Sequence, residues 1–164
     1  MTDDRDSYEI KVGSWFHSFW IGDEEWASGR GPLQAGLLEI ADTRNGLFVD
    51  TAVHSGLVSV RIQVLLDPPR TPLSQWDDIA EASIRLSSDQ LYVIPLGGLG
   101  DMLEAPVRRA GEFGIQVAGK CRDQDADLGQ LESYLISVWP VNEVIEPKSL
   151  RLSSPRAKEK GSST

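Results

Sequence analysis

Residues 57–65, LVSVRIQVL, set Val58, Val60, Ile62 and Val64 on one face and Ser59, Arg61 and Gln63 on the other. A period of two with β-branched residues on the apolar side is the pattern of a half-buried strand. The same period recurs on both sides of this stretch. In EASIRLS (81–87) Ala82, Ile84 and Leu86 alternate with Ser83, Arg85 and Ser87; Ser88-Asp89 then turns the chain into LYVIPL, so the two runs read as a hairpin. EFGIQVAGK (112–120) and ESYLISVWP (132–140) each present one apolar face, and YEIKV (8–12) does so near the N-terminus. After Gly13 the run WFHSFWI is aromatic on both faces, which predicts a bulge or a strand covered on both sides. GLFVDTAV (46–53) is a further strand, expected to pair across His54-Ser55-Gly56 with 57–65.

Helical spacing is sparse. LLEIAD (37–42) and WDDIAEA (76–82) carry some of it, the second merging into a strand pattern, and GDMLEA (100–105) has room for one turn. Pro68, Pro69 and Pro72 stiffen one connection, and Gly97, Gly98 and Gly100 loosen another. The expected fold is all-β, an antiparallel sandwich of seven or eight strands with little helix. At 164 residues the chain is the size of one domain with a self-sufficient core. That domain is expected over 1–147, followed by a disordered basic tail over 148–164.

Charge narrows the function classes. The net charge is −9, and residues 1–147 carry −13 (11 basic against 24 acidic residues) because the tail KSLRLSSPRAKEKGSST is basic. A globule this acidic repels phosphate backbones and attracts basic surfaces, so the expected partner is a basic protein and not nucleic acid. The single cysteine, Cys121, cannot form an intramolecular disulfide, and no stretch approaches a membrane span or a secretory signal. A cytoplasmic monomer or homodimer is expected, without membrane, metal or other cofactor.

Catalytic patterns are weak. Cys121, His17 and His54 share no local signature, no serine stands in a nucleophile elbow, and GGLGD (97–101) lacks the Lys-Ser/Thr of a phosphate loop. Asp123, Asp125 and Asp127 start like a calcium loop, but Leu128 stands where glycine is needed and Tyr134 where the closing glutamate belongs. Aromatic residues are the positive signal. Three of five tryptophans, Trp15, Trp20 and Trp26, interleave with Phe16 and Phe19 and adjoin Asp23, Glu24 and Glu25. Tryptophan ringed by carboxylates suits a hot spot for a basic partner. The expected contact set is therefore Trp20, Asp23, Glu24, Glu25 and Trp26 with the acidic loop of Asp123, Asp125 and Asp127. The rival reading is a small ligand-binding or hydrolytic β protein that uses the aromatic segment around His17.

The order SYEIKV, SVRIQVLL, EASIRLSSDQLYVIPL, GEFGIQVAGKCRD and ESYLISVWP resembles the competence protein J family, inhibitors of a DNA-entry nuclease. The closing part carries most of the likeness, at Gly111, Phe113, Asp127, Tyr134 and Ile136. Glu132 to Pro140 also resembles the last strand of a group of uncharacterised, immunity-like bacterial β proteins. The resemblance implies a compact β protein that neutralises a nuclease or toxin and needs no catalytic group of its own.

Overall fold

The computed structural model describes residues 7–25, 32–97, 100–122 and 132–157. These residues are nearly all β, as the period-two patterns require, but they form one mixed sheet of twelve strands and not a sandwich of seven or eight antiparallel ones. The strands are β1 (Ser7–Trp15), β2 (Ser18–Gly22), β3 (Leu33–Gln34), β4 (Leu38–Ile40), β5 (Gly46–Asp50), β6 (Ser55–Val64), β7 (Asp78–Leu86), β8 (Gln90–Ile94), β9 (Leu103–Pro106), β10 (Gly111–Lys120), β11 (Ser133–Pro140) and β12 (Lys148–Leu152). Their order is β12-β7-β10-β11-β6-β1-β2-β5-β4-β3, with β8 laid against β2 and β9 against β8.

The sheet curls until its two ends nearly meet, like a barrel. Arg85 N in β7 donates to Arg44 O beside β5 at 2.7 Å, and the Leu152 side chain of β12 packs over Gly36. Near closure hides most of the edge that an open sheet of this length would expose. The inward rows of the long strands fill the centre: Val58, Val60 and Ile62 from β6, Phe113, Ile115 and Val117 from β10, Ile136 and Val138 from β11, and Ala82 and Ile84 from β7 are all essentially inaccessible.

Several pairings differ from the sequence expectation for one physical reason: alternation identifies a strand but not its neighbour. Residues 46–53 do not pair with 57–65; β5 lies between β2 and β4, while β6 pairs antiparallel with β1 and parallel with β11. Strands β7 and β8 form no hairpin, because β7 joins β10 and β12 and β8 joins β2 and β9. The helical hints at 37–42 and 100–105 resolve into β4 and β9, and 76–82 leads into β7, preceded by a 3-10 turn at Leu73–Gln75. The aromatic run, expected to be a bulge or a strand covered on both sides, is instead split by a turn at Phe16-His17: its second half lies in β2, whose residues are all buried, while Trp15 and Phe16 are exposed.

The C-terminal boundary also moves. Lys148–Leu152, expected in the disordered tail, form β12 against β7, and a helical turn begins at residue 155. Basic composition concealed this because Arg156 is the half-buried ion-pair partner of Asp50 and Ala157 is fully buried. Residues 158–164 lie outside the described residues.

Candidate functional site at the aromatic end of the barrel

β1 and β2 are joined by a two-residue turn, with Trp15 paired to Ser18. Such turns need positive φ at both central positions, which normally selects Asn-Gly. Here Phe16 and His17 occupy them, at φ 50° and 62°. A bulky residue held in the left-handed region is a genuine outlier and costs on the order of 1–3 kcal/mol, so the surroundings must enforce it.

They do so through the β5–β6 connection. His17 N donates to His54 O at 3.1 Å, Thr51 N donates to His17 O at 2.9 Å, and His17 Nδ1 lies 3.0 Å from Thr51 O. A carbonyl only accepts, so this last contact selects the tautomer with its proton on Nδ1. Burial, followed by the Arg156 charge, pushes the His17 pKa below its usual value. Beneath, the Ser14 and Thr51 hydroxyls meet at 2.6 Å.

The connection is braced in turn from the core. Both Glu132 carboxylate oxygens accept from backbone, from Ala52 N at 2.7 Å and Val53 N at 3.0 Å, and the Tyr134 hydroxyl donates to the same carboxylate at 2.5 Å. Burial pushes Glu132 up, against those donors and Arg122, and also pushes Tyr134 well up. Arg122, with no exposed side-chain surface, donates to Asp78, to Asp50 Oδ2 at 3.0 Å and to Asp50 O at 2.8 Å. Burial opposes its charge, yet Tyr134, Asp50 and Asp78 hold its pKa above the ordinary arginine range. Asp50 takes a second, bidentate partner in Arg156 at 2.7 and 2.9 Å, and Asp78 also accepts from Ser153 N, Ser154 N and Ser154 Oγ. The network ties β5, β7, β10, β11 and the C-terminal segment together under the turn.

The result is a rigid apolar surface. Trp15 is 43% exposed and Phe16 59%, their rings meeting edge to face at 5.2 Å. His54 packs against Phe16 at 5.2 Å and against His17 at 4.9 Å. Gly97, at φ 75°, presses its backbone on one face of Trp15; a Cβ there would stand 3.0 Å from the ring. Leu57, 40% exposed, shares the outer face of the β1–β6 pair with Trp15. Exposed aromatic rings on a braced backbone are the composition of a binding hot spot.

The residues expected to make partner contacts divide into three groups. Trp20 is fully buried, packed on Phe48 at 4.9 Å with its Nε1 donating to Asp23 O at 2.8 Å; it positions the acidic turn and presents no ring at the surface. Glu24 and Glu25 are exposed, and Asp23 accepts from Ser87 N at 3.0 Å. Trp26, Asp123, Asp125 and Asp127 lie outside the described residues. Of the described residues that flank these segments, Asp23 and Ser87 sit beside the Leu86–Gly111 pair at the start of β10, and Arg122 lies just beyond its far end.

For the rival hydrolytic arrangement around His17, Asp50, the acid in its electrostatic surroundings among the described residues, is engaged by Arg122 and Arg156. Among the described residues, no group of three or more His, Cys, Asp or Glu is placed to hold a metal ion, and no helix is long and apolar enough to cross a membrane.

Comparison with solved structures returns the same fold. The crystal structure of ComJ, inhibitor of the DNA-degrading activity of NucA, from Bacillus subtilis, matches with a TM-score of 0.55 at 8% identity, over 82% of this chain and 95% of that one. The crocagin biosynthetic protein J matches with a TM-score of 0.54 at 15% identity, over 83% and 97%. At these identities the likeness is one of fold. No protein-family model and no curated protein matches the chain.

Proposed function

We propose that this protein is a cytoplasmic binding module that occupies and neutralises a basic protein partner, a nuclease being the partner class the reading favours. The observation that carries it is the Trp15–Phe16 turn, where backbone strain is maintained to keep two large rings in solvent. The fold shared with a nuclease inhibitor supports the reading, as does the net charge of −9. Nucleases hold nucleic acid on positive surfaces, and an acidic protein gains association rate on such surfaces by steering. In this proposal the rings anchor the complex and Asp123, Asp125 and Asp127 supply the charge. Asp23, Glu24 and Glu25, at the end of β2 away from the turn, add long-range field, and Trp26 is a further aromatic anchor. No catalytic group of its own is required.

The test is capture from an extract of the source cells at low salt, with the protein immobilised, followed by elution with a salt step. A retained basic protein that degrades plasmid DNA, is inhibited by added wild-type protein and is not held by a Trp15→Ser, Phe16→Ser variant is the expected result. Equal retention by the variant, or an eluate without any nuclease inhibited by the wild type, overturns the proposal.

A further inference from the structure

The connection from β6 to β7 has to cross the outside of the barrel, because β11 and β10 lie between those two strands. Residues 65–77 make the crossing with three prolines, and Thr71 pins the arch to β10 through a 2.5 Å bond from its hydroxyl to Gln116 Oε1. Beside and beneath the arch lies a cleft of about 670 Å³. This volume is within the range of sites for small organic molecules, roughly 300–1,000 Å³. Proline fixes φ along the arch, so the cleft is preformed and binding costs little ordering entropy.

Its walls have two characters. Leu65, Leu66, Pro68, Pro69, Trp76 and Leu135 are apolar, and Leu66 is 68% exposed although it stands on a rigid loop. Arg70 and Arg108 line the cleft with a single aspartate, Asp67, a local excess of positive charge on a protein of net charge −9. Among the described residues Arg70 makes no ion pair. Ser7, at the opposite end of β1 from Trp15, also lines the cleft, about 27 Å along the strand from the aromatic turn. A partner bound at the turn therefore leaves the cleft open.

We propose that this cleft is a second site, taking a small organic anion with an apolar, preferably aromatic, body. Its ring would lie between the proline arch and Trp76 above Leu135, and its acid group would face Arg70 and Arg108. Arginine suits this role because its planar guanidinium pairs with carboxylate or sulfonate and stacks on rings.

Titration of the native full chain with the fluorescent probe 8-anilinonaphthalene-1-sulfonate tests the assignment. The expected result is saturable one-to-one binding, weakened at least tenfold by Arg70→Glu with Arg108→Glu and unchanged within twofold by Phe16→Ser. The arginines are exposed, so the double variant retains its fold, which circular dichroism checks. Absence of saturable binding, indifference to the charge reversal, or loss in Phe16→Ser overturns the assignment, the last because it would move the probe to the aromatic turn.

Discussion

Replacing Arg122 by methionine tests the core of the structural argument, because a similar aliphatic volume is kept while the guanidinium is lost. The side chain has no exposed surface and makes charge-assisted bonds to Asp78 and Asp50. Removing one member of a buried ion pair costs about 3–5 kcal/mol, since the remaining charge is left uncompensated. Two features place this case toward the lower part of that range. Asp50 keeps Arg156, and Asp78 keeps the Ser153 and Ser154 amides and the Ser154 hydroxyl. A loss of about 3–4 kcal/mol is expected, and at roughly 2–4 °C per kcal/mol for a domain of this size the midpoint should fall by about 6–16 °C. Urea unfolding followed by tryptophan fluorescence measures the free-energy loss, and a thermal melt measures the fall in midpoint. Adding Asp78→Asn to Arg122→Met should then cost less than the sum of the two single changes, as expected for groups that compensate each other. A loss below about 1 kcal/mol, or strict additivity, would refute the claim that the pair is a compensated buried charge.

Four further outcomes are expected. A chain ending at Pro147 should be insoluble or unfolded, because it lacks β12, Ser154 and Arg156, whereas one ending at Ala157 keeps all of those contacts; circular dichroism of the two truncations decides. Phe16→Asn should raise stability by about 1 kcal/mol, since asparagine tolerates the left-handed region, and should weaken partner capture; greater stability without weaker capture would separate the turn from function. Gly114→Ala should destabilise by about 1–3 kcal/mol, because the new methyl lands within the Trp139 indole, and the urea midpoint reports it. His17 has a folded pKa below its usual value, so its neutral form contributes stability that is present above about 6.5 and is lost as pH falls through the folded value. Glu132 is shifted the other way but is common to both proteins, so the stability advantage of wild type over His17→Gln should shrink between pH 7.5 and 5; a constant gap would contradict the shift.

The long strands were legible because each buries one row and solvates the other. Val58, Val60 and Ile62 announce β6 without any knowledge of its neighbours, and Phe113, Ile115 and Val117 announce β10. Who pairs with whom was not legible, since the same alternation serves parallel β11 and antiparallel β1 equally on the two sides of β6. Very short strands such as β3 and β4 fall below the length at which a period can be recognised. The aromatic segment was singled out from composition, but the exposed pair is Trp15 and Phe16, while Trp20 is core. Only the backbone reveals why: Phe-His carries none of the usual signals of a tight turn, so its position came from the partner strands. The ion network left no local trace, because Arg122 meets Asp78 across 44 residues and Arg156 meets Asp50 across 106.

That last separation has a consequence for biosynthesis. When β5 leaves the ribosome, Asp50 has neither of its arginines, and Arg156 follows 106 residues later. At about 5–20 residues per second this is a wait of several seconds or more, in which the nascent barrel holds a carboxylate that it cannot bury. Closure is thereby postponed until the last strand has been made, and a prematurely released chain would leave an open sheet edge for chaperones or proteases to detect.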